Sequence, residues 1–196
     1  ERLYEVVSPY DCWILEDACH APGGYFVDSK GEKQYCGNSR FADLAIFSFH
    51  PVKHIACGEG GMITTRHETL YQVLLEYRTH GITKDPDKLH EQHGPWYYEM
   101  QHLGYNYRLS ELHAGLGLSQ LQRAEEMITK RRSLAAKYDQ ALKALPLRLP
   151  PSVEGHAYHL YVIRTEKRKA LYHFLRENKV LVQVHYIPVH MQPYYR

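Results

Sequence analysis

The sequence has few of the features that mark specialised classes of protein. Its 196 residues carry a formal net charge of only +2, and basic and acidic residues are interspersed, so nucleic acid and anionic membranes are not expected partners. No apolar run reaches the length of a membrane span, and no signal-peptide pattern opens the chain. The four cysteines form no CxxC pair, which favours reduced thiols in a cytoplasmic protein.

Sequence motifs for metal and for nucleotide phosphate are also missing. The chain has 14 histidines but no HExxH, and no carboxylates are spaced with them as a ligand set. We therefore expect no metal site, and we expect most histidines at the surface or facing substrate. A glycine-rich turn follows Lys53 at residues 58–61, whereas a Walker loop places its lysine after the glycines.

The pattern that is present alternates strands with helices, which predicts an α/β fold. Hydrophobic residues make up 44% of the chain, enough for a core. The predicted strands lie at 12–16, 42–49, 62–64, 158–164 and 180–185, and the first reads as a buried parallel strand. The predicted helices lie at 68–77, from a cap at Ser110, at 123–145 and at 168–178. Residues 31–40 read as a loop or weak hairpin, and 82–103 as a long loop.

Three short segments carry groups suited to chemistry, each with a plainer alternative. Asp17 ends a strand, where open α/β sheets bind ligands, but it could simply cap the next turn. Lys53 follows a strand that delivers Ser48 and precedes the glycine turn, although most lysines are solvated surface groups. Asn106 and Arg108 precede a helix N-terminus, a place suited to phosphate, but they could belong to an ordinary capping segment.

Taken together, these segments resemble the sugar-nucleotide aminotransferases of the DegT/DnrJ/EryC1/StrS family. The resemblance covers nearly the whole chain. It rests on four motifs in this order: Glu16-Asp17-Ala18-Cys19-His20-Ala21, Ser48-Phe49-His50-Pro51-Val52-Lys53, Cys57-Gly58-Glu59-Gly60-Gly61 and Gly104-Tyr105-Asn106-Tyr107-Arg108. Each motif is weak alone, and the combination is specific.

The resemblance implies a fold-type-I enzyme that depends on pyridoxal 5'-phosphate (PLP). Lys53 would attach the cofactor as a Schiff base and then move a proton between substrate and cofactor. The remaining implied roles are Asp17 at the pyridine nitrogen, Ala18 against the ring, His20 at the phenolic oxygen, and Ser48 at the phosphate. Asn106 would reach the phosphate of a neighbouring subunit, which implies a homodimer with shared active sites.

The same resemblance divides the chain into parts. Residues 1–108 would be the C-terminal part of the PLP-binding large domain, 109–145 connecting helices, and 146–196 a partial small domain. The chain starts without Met and ends without a terminating feature, so we expect a fragment of a longer protein that has weakened or no activity by itself.

Finer motifs, at 94–109 and 182–190, resemble the branch of the family that serves pseudaminic acid biosynthesis. That branch moves an amino group from glutamate to C4 of a UDP-linked 4-keto-6-deoxy-N-acetylhexosamine. Arg108, His185 and Tyr186 are the candidate contacts with the nucleotide sugar. Another nucleotide-linked keto sugar and an inactive, non-catalytic module remain alternatives, whereas a sugar dehydratase is disfavoured because such relatives replace the lysine with histidine.

Overall fold

The computed structural model describes residues 1–196 and alternates helices and strands as predicted. The helices are α1 Arg2–Val7, α2 Glu68–Arg78, α3 Glu111–Leu121, α4 Ala124–Leu142 and α5 Arg168–Glu177. The strands are β1 Leu15–Asp17, β2 Tyr25–Val27, β3 Lys33–Tyr35, β4 Leu44–Ser48, β5 Gly61–Thr65, β6 Ile82–Thr83 and β7 Glu99–Met100. Short 3-10 helices occupy Pro86–Lys88, Val189–Met191 and Pro193–Tyr195. None of the five α-helices is both long enough and apolar enough to cross a membrane.

The central sheet has the strand order β1-β4-β5. Strand β1 runs parallel to β4, with Asp17 opposite Ile46, and β5 runs antiparallel to β4, with Gly61 opposite Ser48. Parallel neighbours present their carboxyl ends at one edge of a sheet. The last residues of β1 and β4, Asp17 and Ser48, therefore lie at the same edge.

The first predicted strand is only partly correct. Strand β1 begins at Leu15 rather than at residue 12, and Leu15 is 55% exposed instead of buried. The physical reason is its place at the edge of the sheet, where β4 is its one paired neighbour. The segment predicted as a weak hairpin contributes β3, which pairs with β2.

Of two features predicted for helix α3, the N-terminal cap is confirmed, and the apolar stripe is present but not buried. Ser110 caps α3 as predicted, because its hydroxyl accepts the backbone N–H of His113 at 3.3 Å. The apolar stripe of α3 is present but uncovered, since Leu112 is 86% exposed and Leu116 and Leu121 are exposed as well. Helix α4 ends at Leu142, shortly before Pro146, as the sequence indicates.

The chain divides into two compact units, and each is described by itself. The first comprises Glu1–Arg132 with Val153–His159, and its buried apolar residues are Ala18, Ala45, Ile55, Cys57, Ile128 and Ala157. The second comprises Ser133–Ser152 with Leu160–Arg196. In that unit Tyr161 donates a hydrogen bond to Asp139 at 2.6 Å and its ring packs 5.0 Å from that of Tyr138. The three-part division predicted from the sequence stays a prediction.

Two predicted strands of the C-terminal part are wrong. In the segment 158–164, only Arg164 makes a β-bridge, with Arg148, and residues 180–185 form no strand. Both segments have the apolar, β-prone composition of strands. A strand is stable only when a neighbouring strand completes its hydrogen bonds, and these segments have no such ladder.

Candidate active site

Asp17 ends β1 with its carboxylate oriented by the turn that follows. The backbone N–H of Cys19 donates to Oδ1 at 3.0 Å, and the N–H of the fully buried Ala18 donates to the carbonyl of Ile46 on β4 at 2.9 Å. Hydrogen bonding by Cys19 lowers the pKa of Asp17, and the nearby positive charges of His20 and Lys53 act in the same direction. Asp17 therefore stays ionised at neutral pH and lies within electrostatic range of Lys53.

Lys53 is held by a tight loop at the carboxyl end of β4. Its backbone N–H donates to the carbonyl of His50 at 2.9 Å, and Phe49 exchanges backbone hydrogen bonds with Gly60 and Cys57 at 2.9 and 3.0 Å. Lys53 is half-buried, so part of its stem is removed from water. A short loop pinned at both ends places the amine at a defined point beside the strand end.

Ser48 lies at the same sheet edge. Its hydroxyl accepts the backbone N–H of His50 at 3.4 Å, at the long end of hydrogen bonding. Across the β4–β5 pair, it faces Gly61. A hydroxyl beside a glycine and a turn rich in backbone N–H groups is a suitable environment for a phosphate oxygen.

The glycine turn packs against its own chain. A Cβ on Gly60, whose φ is +149°, would lie 2.6 Å from Leu109 Cδ1, and one on Gly58 would approach the ring of His113 at 3.1 Å. Larger residues at these positions would displace the start of α3. The glycines therefore allow close packing within the protein, in addition to any role toward a ligand.

A cavity of about 350 Å³ lies beside this turn. Its lining residues are Glu59, Gly60, Gly61, Tyr107, Arg108, Leu109 and His113. The structure thus places Arg108 in the same cavity as Gly61, the register partner of Ser48. Asn106 is exposed and forms an antiparallel β-bridge with Thr79.

His185 and Tyr186 belong to the second unit, where their rings are 5.2 Å apart and both residues are exposed. Their predicted contact with a nucleotide sugar stays a prediction. No group of three or more His, Cys, Asp and Glu side chains is arranged to hold a metal ion.

Histidines from distant parts of the chain meet beside Asp17 and Lys53. The rings of His20 and His159 are 4.2 Å apart at an interplanar angle of 40°, and His54 lies 5.4 Å from His159. His54, which is 7% exposed, is an exception to the prediction that most histidines lie at the surface or face substrate. Burial, together with the charges of His20 and Lys53, lowers the pKa of His159 to about 4.

Sequence reasoning missed His54, His159 and the arginine that holds the latter. Arg131 donates to the carbonyls of Tyr158 and His159 at 3.1 and 3.2 Å. No local motif predicts these contacts, because they join the segment 153–159 to α4 and to His20 and His54, which are distant from it in sequence. Their only signal was the unusual number of histidines.

The groups at this sheet edge fit PLP chemically. The cofactor aldehyde needs a primary amine, which Lys53 supplies, and a protonated pyridine nitrogen needs a carboxylate that remains ionised, as Asp17 does. The hydroxyl of Ser48 and the imidazole of His20 add hydrogen-bonding groups suited to the phosphate and the phenolic oxygen.

Comparison with known proteins matches the whole chain. The model of the DegT/DnrJ/EryC1/StrS aminotransferase family covers residues 1–196. The spore coat polysaccharide biosynthesis protein SpsC of Bacillus subtilis (strain 168) is 33% identical in an alignment of 206 positions that covers 100% of this chain and 51% of SpsC. The chain thus spans about half the length of the curated relatives it matches.

Solved structures of aminotransferases share the fold. Helicobacter pylori PseC, an aminotransferase involved in the biosynthesis of pseudoaminic acid, aligns with a TM-score of 0.81 and 29% identity over 98% of this chain and 50% of PseC. The PLP form of Spr1654 of Streptococcus pneumoniae, a sugar aminotransferase by its description, aligns with a TM-score of 0.77 and 26% identity over 93% of this chain and 46% of Spr1654. The fold is therefore that of the PLP-dependent aminotransferases, in part.

Proposed function

Because the chain belongs to the DegT/DnrJ/EryC1/StrS aminotransferase family, we propose that it is part of a PLP-dependent aminotransferase that acts on nucleotide-linked keto sugars. Lys53 would be the residue that carries the cofactor. The observation that carries the proposal is the placement of Asp17, at the end of β1, and of the loop with Lys53, after the parallel strand β4, at one edge of the sheet, where the charge of Lys53 acts on Asp17. A carboxylate and an amine at one edge of an open sheet occupy the place where α/β proteins bind ligands.

PLP, when bound, withdraws electrons from the substrate carbon so that a proton can be removed from it. Lys53 would supply the amine that attaches the cofactor and would then hold or move that proton at Nζ. Asp17 would keep its negative charge beside the pyridine nitrogen. Ala18 would leave room for the ring, Ser48 would bind the phosphate, and His20 would donate to the phenolic oxygen.

The substrate is the finer part of the proposal. We assign glutamate as the amino donor and a UDP-linked 4-keto-6-deoxy-N-acetylhexosamine of the pseudaminic acid pathway as the acceptor. The motifs at 94–109 and 182–190 support this, as does the likeness to PseC. Arg108, in the cavity beside the glycine turn, is suited to the diphosphate, and His185 and Tyr186 to the sugar nucleotide.

The proposal extends to a homodimer with shared active sites. Asn106 is exposed at the rim of the first unit, and the leucines of α3 are uncovered next to it in sequence. Exposed apolar side chains on one helix are typical of a face that another surface covers. Asn106 would then bind the cofactor phosphate of the partner subunit.

Cofactor attachment is tested by adding PLP to the purified chain and recording visible absorbance. Reduction with borohydride and peptide mapping should locate the cofactor on Lys53. Lys53→Ala should abolish the band, whereas Lys30→Ala, in the exposed β2–β3 turn, should keep it. A band that persists in Lys53→Ala refutes Lys53 as the attachment point.

Turnover is tested on the complete product of the gene. Loss of the visible band upon addition of glutamate, and its return with a UDP-4-keto sugar, supports the proposed reaction. Return with a different nucleotide-linked keto sugar keeps the aminotransferase and corrects the substrate. A complete product that never binds PLP would instead be a non-catalytic member of the family.

A further inference from the structure

The ring of His159 packs on the ring of His20, at the edge of the candidate active site. The two ring centroids are 4.2 Å apart, and the planes are tilted by 40°. His159 also lies close enough to Lys53 for the lysine charge to lower its pKa. The described contacts thus connect His159 to a residue that would touch the cofactor, through a flat ring surface.

The backbone around His159 is held from two sides. Arg131 donates to the carbonyls of Tyr158 and His159 at 3.1 and 3.2 Å, and Nε2 of His54 bonds to the carbonyl of Ala157 at 2.9 Å. Tyr158 has φ of +48°, a left-handed conformation that costs energy for a tyrosine. Such a conformation persists where neighbouring contacts hold it, and His159 follows Tyr158 directly in the chain.

The environment keeps the His159 ring neutral. Burial is the main reason that its pKa is low, and the positive charges of His20, Lys53, His54 and Arg131 add to the effect. A neutral ring adds no positive charge beside the Lys53 amine. It can therefore pack against the His20 ring without adding charge to the site.

We propose that His159 is a positioning residue, which fixes the plane of the His20 ring beside Asp17 and Lys53. The role rests on the proposed function, in which His20 meets the phenolic oxygen of PLP. His159 acts through His20. Because the contact is between two rings with centroids 4.2 Å apart and planes tilted by 40°, an aromatic side chain at position 159 should suffice, and a branched aliphatic one should not.

The test compares His159→Leu with His159→Phe. Leucine fills much of the space without a flat face, and phenylalanine keeps the face without the nitrogens. His93→Ala is the control, since His93 lies in another segment of the first unit and packs on Tyr97, with ring centroids 4.8 Å apart. Thermal unfolding of each variant establishes that it is folded before the other measurements are made.

The first measurement is the imidazole ¹⁵N and ¹³C spectrum of His20 in the cofactor-free protein. We expect a shift in the His20 resonances in His159→Leu, near wild-type resonances in His159→Phe, and no change in His93→Ala. Unchanged His20 resonances in His159→Leu would overturn the proposal, and so would equal shifts in His159→Leu and His159→Phe.

The second measurement is PLP binding followed by visible absorbance and its pH titration. We expect the dissociation constant in His159→Leu to rise about two- to tenfold, the range of one aromatic pair, with a displaced absorbance maximum, and His159→Phe to restore both. Equal binding in all variants would overturn the proposal. PLP binding is measured on the complete gene product. If the wild-type complete product fails to bind PLP, the proposed function falls, while the His20 spectrum still decides whether His159 positions that ring.

Discussion

Nε2 of His54 lies 2.9 Å from the carbonyl oxygen of Ala157, so the residue after Lys53 is tied directly to the segment that carries His159. A carbonyl only accepts, and Nε2 must therefore carry the proton. Nδ1 of His54 is buried and has no partner in the protein. One hydrogen bond thus fixes the tautomer of a buried histidine and joins two distant parts of the first unit.

Replacing His54 should destabilise the first unit. His54→Ala removes the bond to Ala157 and leaves a cavity in a site that is 7% exposed, so we expect a loss of about 1–3 kcal/mol in the free energy of unfolding. His54→Gln retains a donor and should recover part of the loss. Urea unfolding measures both. Equal stability of His54→Ala and the wild type would show that the bond contributes nothing.

Acid should weaken the fold through the same histidines. Burial lowers the pKa of His159 from 6.5 to about 4 and lowers that of His54 as well. Between pH 6.5 and about 4 the unfolded chain therefore binds more protons than the folded one, so stability is complete above 6.5 and falls as the pH drops.

Thermal unfolding across that range checks the prediction. His159→Phe should lose less stability than the wild type between pH 6.5 and 4, by on the order of 1–3 kcal/mol. His173→Phe, at an exposed position on α5, should follow the wild-type curve. A wild-type curve that is flat over this interval would contradict the assigned burial of the two rings.

Local features of the sequence predicted the part of the site that neighbouring elements build. Asp17 and Ser48 end strands that proved to be parallel neighbours, and parallel pairing alone brings the ends of two strands together. Ser110 was predicted as a cap because capping depends on residues within one turn, and it caps α3.

Contacts between distant segments could not be predicted in this way. Nothing local in the sequence indicates that His159 meets His20, or that Arg131 holds the carbonyl of His159. The apolar run at 180–185 is a second example of what local prediction cannot establish. Its composition is that of a strand, but strand formation depends on a neighbour that composition cannot supply.

The charge of Asp17 should govern cofactor binding. Asp17→Asn keeps an oxygen for the N–H of Cys19 but removes the negative charge that would face the pyridine nitrogen. We expect weaker PLP binding and, in the complete gene product, turnover reduced by roughly a hundredfold or more. Asp11→Asn, in the exposed segment before β1, is the control. Wild-type turnover in Asp17→Asn would exclude the assigned role.

The carboxylate of Glu99 holds the segment between β6 and β7, which the sequence predicted as a long loop. It accepts the backbone N–H groups of His90 and Glu91 and the side chains of His90, Tyr97 and Gln101, at 2.7 to 3.0 Å. These bonds, above all those from His90, lower the pKa of Glu99 to about 2. The hydrogen bonds to this one side chain thus hold a segment that has no β-ladder of its own.

Removing that carboxylate should open the segment. In Glu99→Ala we expect cleavage at Lys84 and Lys88 by trypsin to accelerate roughly tenfold, because the local opening equilibrium rises. Glu91→Ala, which removes only the pair between Glu91 and His93 at 2.6 Å, should leave the rate near that of the wild type. The pH dependence follows from the lowered pKa of Glu99: protection is complete above pH 4.5 and declines as the pH falls toward 2. The histidine contribution is lost in the same direction but at higher pH, between 6.5 and about 4. Hydrogen exchange of residues 84–98 at pH 6, pH 4.5 and pH 3 follows the two ranges in turn, and a segment already open at pH 6 would contradict the role of Glu99.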